Sequence, residues 1–190
     1  MLVIYAHPNK DGHAGCFLEN IERNLKEKST SYQVIDLYQQ AFPPVLHPDE
    51  HYSSGHYAIS NEVKEIQEKI KKTDKLVFIY PTWWQNMPSI LKGFIDRVFI
   101  PRFAFLYEGR MPKGLLKGKK AIIFTSTGAP RLLTKLIAAD RSIKVLKKDV
   151  LWFCGIKSKA FVVDKANKFT EQQKERIQKL VKQGLEYFNI

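Results

Sequence analysis

Two adjacent tryptophans, Trp83 and Trp84, are the residues of this sequence best suited to contact a flat ligand. They stand in a turn at 81–86, between the apolar run 76–80 and the segment 89–98. The run has the length and composition of a buried strand, and the segment after it is typical of a helix with a proline at its first turn. Two neighbouring side chains of a strand point to opposite faces, so both indoles cannot belong to one core layer. A strand–turn–helix junction of this kind suits the flat, anionic ligands that open α/β sheets bind.

Two further loops have a composition that favours ligand contacts. Residues 7–13 precede a helix N-terminus, where free N–H groups and the helix dipole favour a phosphate. Ser126, Thr127, Gly128 and Ala129 form a small, hydroxyl-rich turn whose backbone can approach a ligand closely. If these loops meet at one edge of a sheet, the three together suit a flavin mononucleotide (FMN). We find no nucleophile and no pair of carboxylates that would indicate another chemistry.

The elements that must position these loops alternate between strands and helices. Strands are predicted at 1–6, 32–38, 75–80, 120–125 and 150–153, with a short strand at 160–163 that extends the same edge. Helices are predicted at 14–28, 59–72, 89–98, 131–147 and 170–188. This alternation predicts a parallel sheet covered on both faces, an α/β three-layer sandwich. Because no Gly-x-Gly-x-x-Gly follows the first strand, we expect a flavodoxin-like, five-stranded parallel sheet of order 2-1-3-4-5 rather than a dinucleotide-binding Rossmann fold.

Length and net charge limit the number of domains, the location and the partners that can be expected for this chain. The 190 residues are predicted to form a single domain, 1–190. There is no apolar stretch of roughly 18–20 residues and no signal-peptide pattern, so the cytoplasm is the expected location. The net charge of +12 suggests nucleic acid or an acidic membrane surface as a partner. However, most lysines alternate with glutamates, as on solvated helix faces, and we expect no nucleic acid partner.

The cysteines and loop histidines show no metal-binding pattern. Cys16 falls in the first predicted helix and Cys154 at the end of the predicted strand 150–153, and both are expected to be buried free thiols. The histidines of the long second connection are His47, His51 and His56. Their spacing matches no helical or finger pattern, so we expect exposed loop residues and no metal.

Several motifs match one known family. The run Tyr80-Pro81-x-Trp83-Trp84 is specific to it, and the match extends from Val3 to about Val163. The other matching segments are Ala6-His7-Pro8, Asp36-Leu37-Tyr38, Pro88, Leu91-Lys92-Gly93, Asp96-Arg97-Val98, Phe103-Ala104-Phe105, Gly118-Lys119-Lys120, Thr127-Gly128 and Phe153-Cys154-Gly155. On these residues the chain resembles the NAD(P)H quinone oxidoreductases with a flavodoxin-like fold. That group includes quinone reductases, bacterial modulators of drug activity and ancillary subunits of glutathione-regulated potassium efflux systems.

The resemblance also implies which residues bind the flavin. His7, Gly12, His13 and Ala14 match the positions that hold the ribityl phosphate. The residues matching those that line the isoalloxazine are Pro81, Thr82, Trp83, Trp84, Gln85, Ser126, Thr127, Gly128 and Ala129. Family enzymes are homodimers in which aromatic side chains of the partner cover the flavin. Phe105 and Tyr107 occupy the matching positions.

The first loop departs from the family pattern. Gly12 and Ala14 stand where the family usually has a serine and an asparagine. Backbone amides, Asn9, Lys10 or His13 would therefore have to hold the phosphate.

The third loop departs as well. The tyrosine and histidine that follow Thr127-Gly128 in the mammalian enzymes have no counterpart here, and Arg131 is the candidate to compensate charge on the reduced flavin. The expected function is flavin-dependent two-electron reduction of quinones by NADPH or NADH, with FMN favoured over FAD. The alternative is a regulatory ancillary subunit that docks on a potassium efflux transporter, with weak or vestigial oxidoreductase activity.

Overall fold

The centre of the fold is a five-stranded parallel sheet. The structure is a computed structural model, and it describes residues 1–55, 57–109 and 111–190. The sheet strands are β1 Leu2–Tyr5, β2 Gln33–Asp36, β3 Lys75–Pro81, β6 Lys120–Ser126 and β7 Lys157–Val163. Their order across the sheet is β2-β1-β3-β6-β7. A separate antiparallel hairpin is formed by β4 Phe105–Glu108 and β5 Met111–Gly114. Since β6 and β7 are the fourth and fifth strands of the sheet, the predicted order 2-1-3-4-5 is confirmed.

Helices cover both faces of this sheet. They are α1 His13–Glu27, α2 Asn61–Lys71, α3 Ser89–Val98, α4 Arg131–Leu136, α5 Arg141–Lys144, a π-helix Val145–Trp152 and α6 Glu171–Tyr187. On one face, Leu2 and Ile4 pack in a buried cluster with α2, α3 and the π-helix. On the other face, Val3 and Tyr5 pack with α1 and α6. Because both faces are covered, the central strands are continuous apolar runs rather than alternating ones.

The predicted strand 150–153 is wrong. These residues end the π-helix and enter the turn after it, with Leu151 buried and Trp152 74% exposed. A short apolar run cannot be assigned to a strand or a helix by periodicity alone. The edge strand is β7, which includes the predicted segment 160–163. Cys154 accordingly lies in the turn after the π-helix and not at a strand end, although it is a buried free thiol as predicted, like Cys16.

Two other segments differ from the expected pattern. The predicted helix 131–147 is interrupted at Ala139 and Asp140, whose φ angles of 50° and 55° are left-handed and end a right-handed helix. In the second connection, His47 is exposed and caps a short 3₁₀ turn, His51 is half-buried, and His56 lies outside the described residues. In the described part of the chain, no helix is long and apolar enough to cross a membrane.

Candidate active site

The turn at the end of β3 holds Trp84 in an energetically unfavourable backbone conformation. The amides of Trp83 and Asn86 donate to each other's carbonyl oxygens at 2.9 and 2.9 Å, which closes a two-residue turn. Trp84 and Gln85 between them have φ angles of 50° and 57°, the type I′ geometry that favours Asn-Gly. The Trp84 side chain is fully exposed and that of Trp83 is 40% exposed. Unfavourable backbone angles that persist around exposed aromatic side chains indicate a site of function rather than of packing.

Contacts between main chains and side chains bring the three predicted loops together. The Thr82 amide donates to the Ser126 carbonyl at 2.8 Å, and the hydroxyls of Thr82 and Thr125 lie 3.1 Å apart. These bonds join the tryptophan turn to the loop at 126–129. On the other side, the ring centroids of His7 and Trp83 lie 6.0 Å apart, which joins the turn to the first loop.

The N-terminus of α1 has the properties of an anion site. The first helical hydrogen bond runs from the Cys16 amide to the Gly12 carbonyl at 2.9 Å, so the amides of His13, Ala14 and Gly15 have no acceptor within the helix. Gly12, with φ 130°, supplies no side-chain cap, and the first turn carries no acidic residue. A carboxylate there would compete with an anion for these amides.

Two of the polar side chains expected to hold a phosphate are already engaged within the protein. The Asn9 side chain accepts the Asp11 amide at 2.7 Å. The Lys10 ammonium pairs with Asp36 at 3.2 Å. His7 is also partly engaged, because its Nδ1 accepts the Asn9 amide at 3.1 Å.

His13 is the side chain that remains available. Its Nε2 is buried and has no hydrogen-bond partner among the described residues. Its ring packs edge-on against Phe169 at 5.0 Å, and burial lowers its pKa below the ordinary 6.5. A buried imidazole nitrogen without a partner is costly unless a ligand satisfies it. The open amides of α1 supply the kind of donors that the phosphate of FMN requires, and the unpartnered nitrogen belongs to the first residue of the same helix.

A fourth loop, 164–169, also reaches this edge, and sequence reasoning missed it. The Ala166 amide donates to the Thr127 carbonyl at 3.0 Å, and the Asn167 side chain donates to the Gly128 carbonyl at 3.3 Å. Phe169 supplies the contact with His13. The loop follows the edge strand, so assigning 160–163 rather than 150–153 as the fifth strand would have placed it here.

The third loop is fixed mainly through its main chain. The Thr127 amide donates to the Val163 carbonyl at 2.9 Å, and its side chain is buried. Ser126 and Ala129 are half-buried and Gly128 is exposed, so these three residues are accessible to a ligand.

Arg131 is paired within the protein. Its guanidinium forms a two-bond ion pair with Asp140, one bond measuring 2.8 Å, and its amide donates to Asp164 at 2.6 Å. Burial of Asp164 opposes its ionisation, but the bonds from Arg131 and from Arg176 prevail and lower its pKa. Because Asp140 already balances the charge of Arg131, the expectation that Arg131 compensates a reduced flavin loses its support.

Phe105 and Tyr107 form a second aromatic cluster on the β4–β5 hairpin. Phe105 packs edge-on against Tyr107 at 5.8 Å and Phe153 at 4.9 Å. Phe105 also lines a cavity of about 380 Å³ with Tyr57 and Phe99. In the described part of one chain, these rings contact each other and not the rings of the three loops. Tyr107 is 63% exposed, which leaves it free to contact another molecule.

Comparisons with known proteins agree with this fold. A family model described as a flavodoxin-like fold matches residues 1–187. A Haemophilus influenzae protein named an uncharacterised NAD(P)H oxidoreductase is 32% identical over 162 residues, 84% of this chain and 80% of that protein.

Two solved structures extend the comparison. The crystal structure of Smu.1420 from Streptococcus mutans is 32% identical, with a TM-score of 0.86 and coverage of 96% of this chain and 97% of that one. The NAD(P)H:quinone oxidoreductase from Methanothermobacter marburgensis is 26% identical, with a TM-score of 0.79 and coverage of 96% and 95%. The chain therefore belongs to the NAD(P)H dehydrogenase (quinone) family with a flavodoxin-like fold.

Proposed function

We propose that this protein is an FMN-dependent NAD(P)H:quinone oxidoreductase. The observation that carries the proposal is the type I′ turn that holds Trp84 fully exposed and that contacts, through Trp83 and His7, the loop preceding the open N-terminus of α1. Bound FMN would supply the redox chemistry, accepting a hydride from NADPH or NADH and passing two electrons to a quinone. The name of the Methanothermobacter relative supports a quinone as the acceptor.

Different groups of residues would bind the phosphate and the ring system of the cofactor. The amides of His13, Ala14 and Gly15, together with the imidazole of His13, would hold the phosphate. Trp83 and Trp84 would present their faces to the ring system. His7 and Gly12, in the loop before α1, would contribute to the phosphate site. The remaining ring contacts would come from the other residues of the two turns: Pro81, Thr82, Gln85, Ser126, Thr127, Gly128 and Ala129.

The side chains around the site fit hydride transfer better than hydrolysis or group transfer. Hydride transfer requires orientation, a dry flat pocket and compensation of charge, and it requires no nucleophile. Since Arg131 is paired with Asp140, we propose that main-chain N–H groups of the two turns face the negative charge of the reduced state.

A second copy of the chain would complete the pocket. Tyr107 is exposed on the β4–β5 hairpin. The α4 segment, next to the third loop, exposes four further apolar side chains: Leu132, Leu133, Leu136 and Ile137. A contiguous exposed apolar surface marks an interaction site. We propose a homodimer in which the partner covers α4 and the partner's aromatic hairpin covers the flavin. Sedimentation tests this directly, because Leu136→Lys should shift the dimer toward monomer while Lys135→Gln, its charged neighbour, should not.

Purification and cofactor titration test the proposed function. We expect FMN to bind stoichiometrically and the holoenzyme to oxidise NADPH or NADH in the presence of menadione. Titration with FAD in parallel tests the preference for FMN. A chain that binds neither flavin would refute the enzyme proposal and would leave the ancillary-subunit alternative to be tested.

We also propose a cytoplasmic location, which fractionation of cells expressing the tagged chain would check.

A further inference from the structure

A basic surface with an exposed tryptophan lies at the opposite end of the molecule from the candidate active site. Lys120 and Lys157 are the first residues of β6 and β7 and pair in register, so they mark the amino edge of the sheet. Trp152 ends the π-helix just before β7 and is 74% exposed. We call the Trp152 surface this tryptophan together with its neighbouring lysines, which are Lys117, Lys120, Lys147, Lys148 and Lys157.

The tryptophan separates two open hollows. One has a volume of about 690 Å³ and is bounded by the π-helix, β7 and Tyr187 at the end of α6. The other has a volume of about 510 Å³ and includes the residues that precede β6. Both hollows are lined by Trp152, Ile156 and Lys157, so they form one continuous surface around the indole.

Among the residues that the structure describes, the lysines of the Trp152 surface form no ion pair, since none of the five pairs with a carboxylate at 4.0 Å or less. Asp149 is the carboxylate that lines the first hollow. The Lys120 ammonium lies 5.3 Å from the centre of the Tyr187 ring. The neighbouring Lys119 differs, because it is buried and donates to the carbonyls of residues 71 and 73 at 3.0 and 2.6 Å.

We propose that the Trp152 surface docks on an anionic lipid bilayer. An indole prefers the boundary between apolar chains and water, and lysine side chains reach from such a boundary to phosphate groups. Clusters of lysines are attracted to anionic leaflets in proportion to their number.

The composition of the surface favours lipid over nucleic acid. All five of its cations are lysines, which are compact point charges that need no fixed partner geometry. That property suits mobile lipid head groups. Recognition of bases or planar anions instead favours arginine, whose planar guanidinium donates two parallel hydrogen bonds. Binding of a single strand also needs several stacking rings along a groove, whereas this surface has one exposed tryptophan and the partly buried Tyr187, whose ring Lys120 approaches.

Docking in this way leaves the active site accessible from solution. β6 has seven residues. At roughly 3.3 Å per residue its two ends lie about 20 Å apart. The three loops at the carboxyl edge therefore face away from the bilayer, and a nicotinamide nucleotide can reach them without leaving the aqueous phase.

Cosedimentation with vesicles tests the proposal. We expect the full chain to bind phosphatidylcholine vesicles that contain phosphatidylglycerol, not vesicles of phosphatidylcholine alone, and to be released by salt. The double variant Lys147→Gln, Lys148→Gln should bind roughly 25-fold more weakly, at about fivefold per lysine. Trp152→Ala should bind about tenfold more weakly. The control Lys179→Gln, Lys182→Gln removes the same charge from exposed positions of α6 and should bind like the unaltered chain.

Three results would overturn the proposal. One is the absence of binding to the anionic vesicles. Another is an equal loss for the α6 control, since binding would then depend on net charge alone. The third is tighter binding to a single-stranded oligonucleotide that the same Trp152-surface variants abolish. If Trp152→Ala lowers the melting temperature, Lys148→Glu at an exposed position tests the same surface without removing the indole.

Discussion

Replacement of Trp84 by asparagine should stabilise the protein and weaken its flavin binding. Trp84 has a φ of 50°, and a non-glycine residue in the left-handed region costs about 1–2 kcal/mol. Asparagine tolerates this region better and is the preferred first residue of a type I′ turn. Because the Trp84 side chain is fully exposed, its removal forfeits no burial in the ligand-free chain. We therefore expect Trp84→Asn to raise the free energy of unfolding by about 0.5–1 kcal/mol, which is about 1–4 °C in melting temperature for a chain of this size.

The same change removes one aromatic face from the proposed ring site. We expect FMN to bind about tenfold more weakly, which corresponds to the loss of one stacking contact. Thermal unfolding of the flavin-free protein and flavin fluorescence titration give the two readings. Trp84→Phe should retain most of the affinity, and Trp152→Asn, which removes an exposed indole far from the site, should leave FMN binding unchanged. Unchanged affinity or lower stability in Trp84→Asn would refute the interpretation of this turn.

The other predictions concern the phosphate loop and a buried ion pair. Burial lowers the pKa of His13 below 6.5, so the contribution of its neutral imidazole to the free energy of unfolding is complete above pH 6.5 and is lost as the pH falls through the folded pKa. FMN binding should raise the pKa of His13, and NMR titration with and without FMN would detect that change. Gly15→Ala should weaken FMN binding at least tenfold, since a Cβ there would lie 1.7 Å from the Lys10 carbonyl oxygen and displace the loop; an unaltered affinity would show that the loop position is irrelevant. Glu50→Gln should lower the free energy of unfolding by about 3–5 kcal/mol in urea, because it leaves the Arg97 guanidinium buried without its carboxylate. Hydrogen bonds from Arg97 hold the pKa of Glu50 below 4.5, so its stabilisation exists above pH 4.5 and fades below it, and the variant should lack this acid-sensitive step.

The sheet was predictable from the sequence because its strands are buried on both faces. Runs such as 76–80 are apolar throughout and are followed by helices with clear apolar faces, which determines the type and order of the elements. The edge of the sheet was not predictable in the same way. The run 150–153 and the strand β7 are both short and apolar, and only packing against β6 shows which of them joins the sheet.

The candidate site was predictable to the level of loops but not of individual contacts. The order of the strands brings His7, Trp83 and Ser126 to one edge, and the sequence was sufficient for that. The hydrogen bonds that occupy Asn9 and Arg131 depend on side-chain positions that no pattern encodes. The family relationship and the expected cofactors nevertheless followed from the motifs themselves, chiefly Tyr80-Pro81-x-Trp83-Trp84.

The central proposal is tested most directly by following the flavin spectrum of the holoenzyme through one turnover. After reconstitution with one equivalent of FMN, addition of NADPH or NADH under anaerobic conditions should bleach the flavin absorbance, and one equivalent of menadione should restore it in full. A chain that takes up no FMN, or a bound flavin that neither nucleotide reduces, would contradict the assignment of this chain as an FMN-dependent NAD(P)H:quinone oxidoreductase.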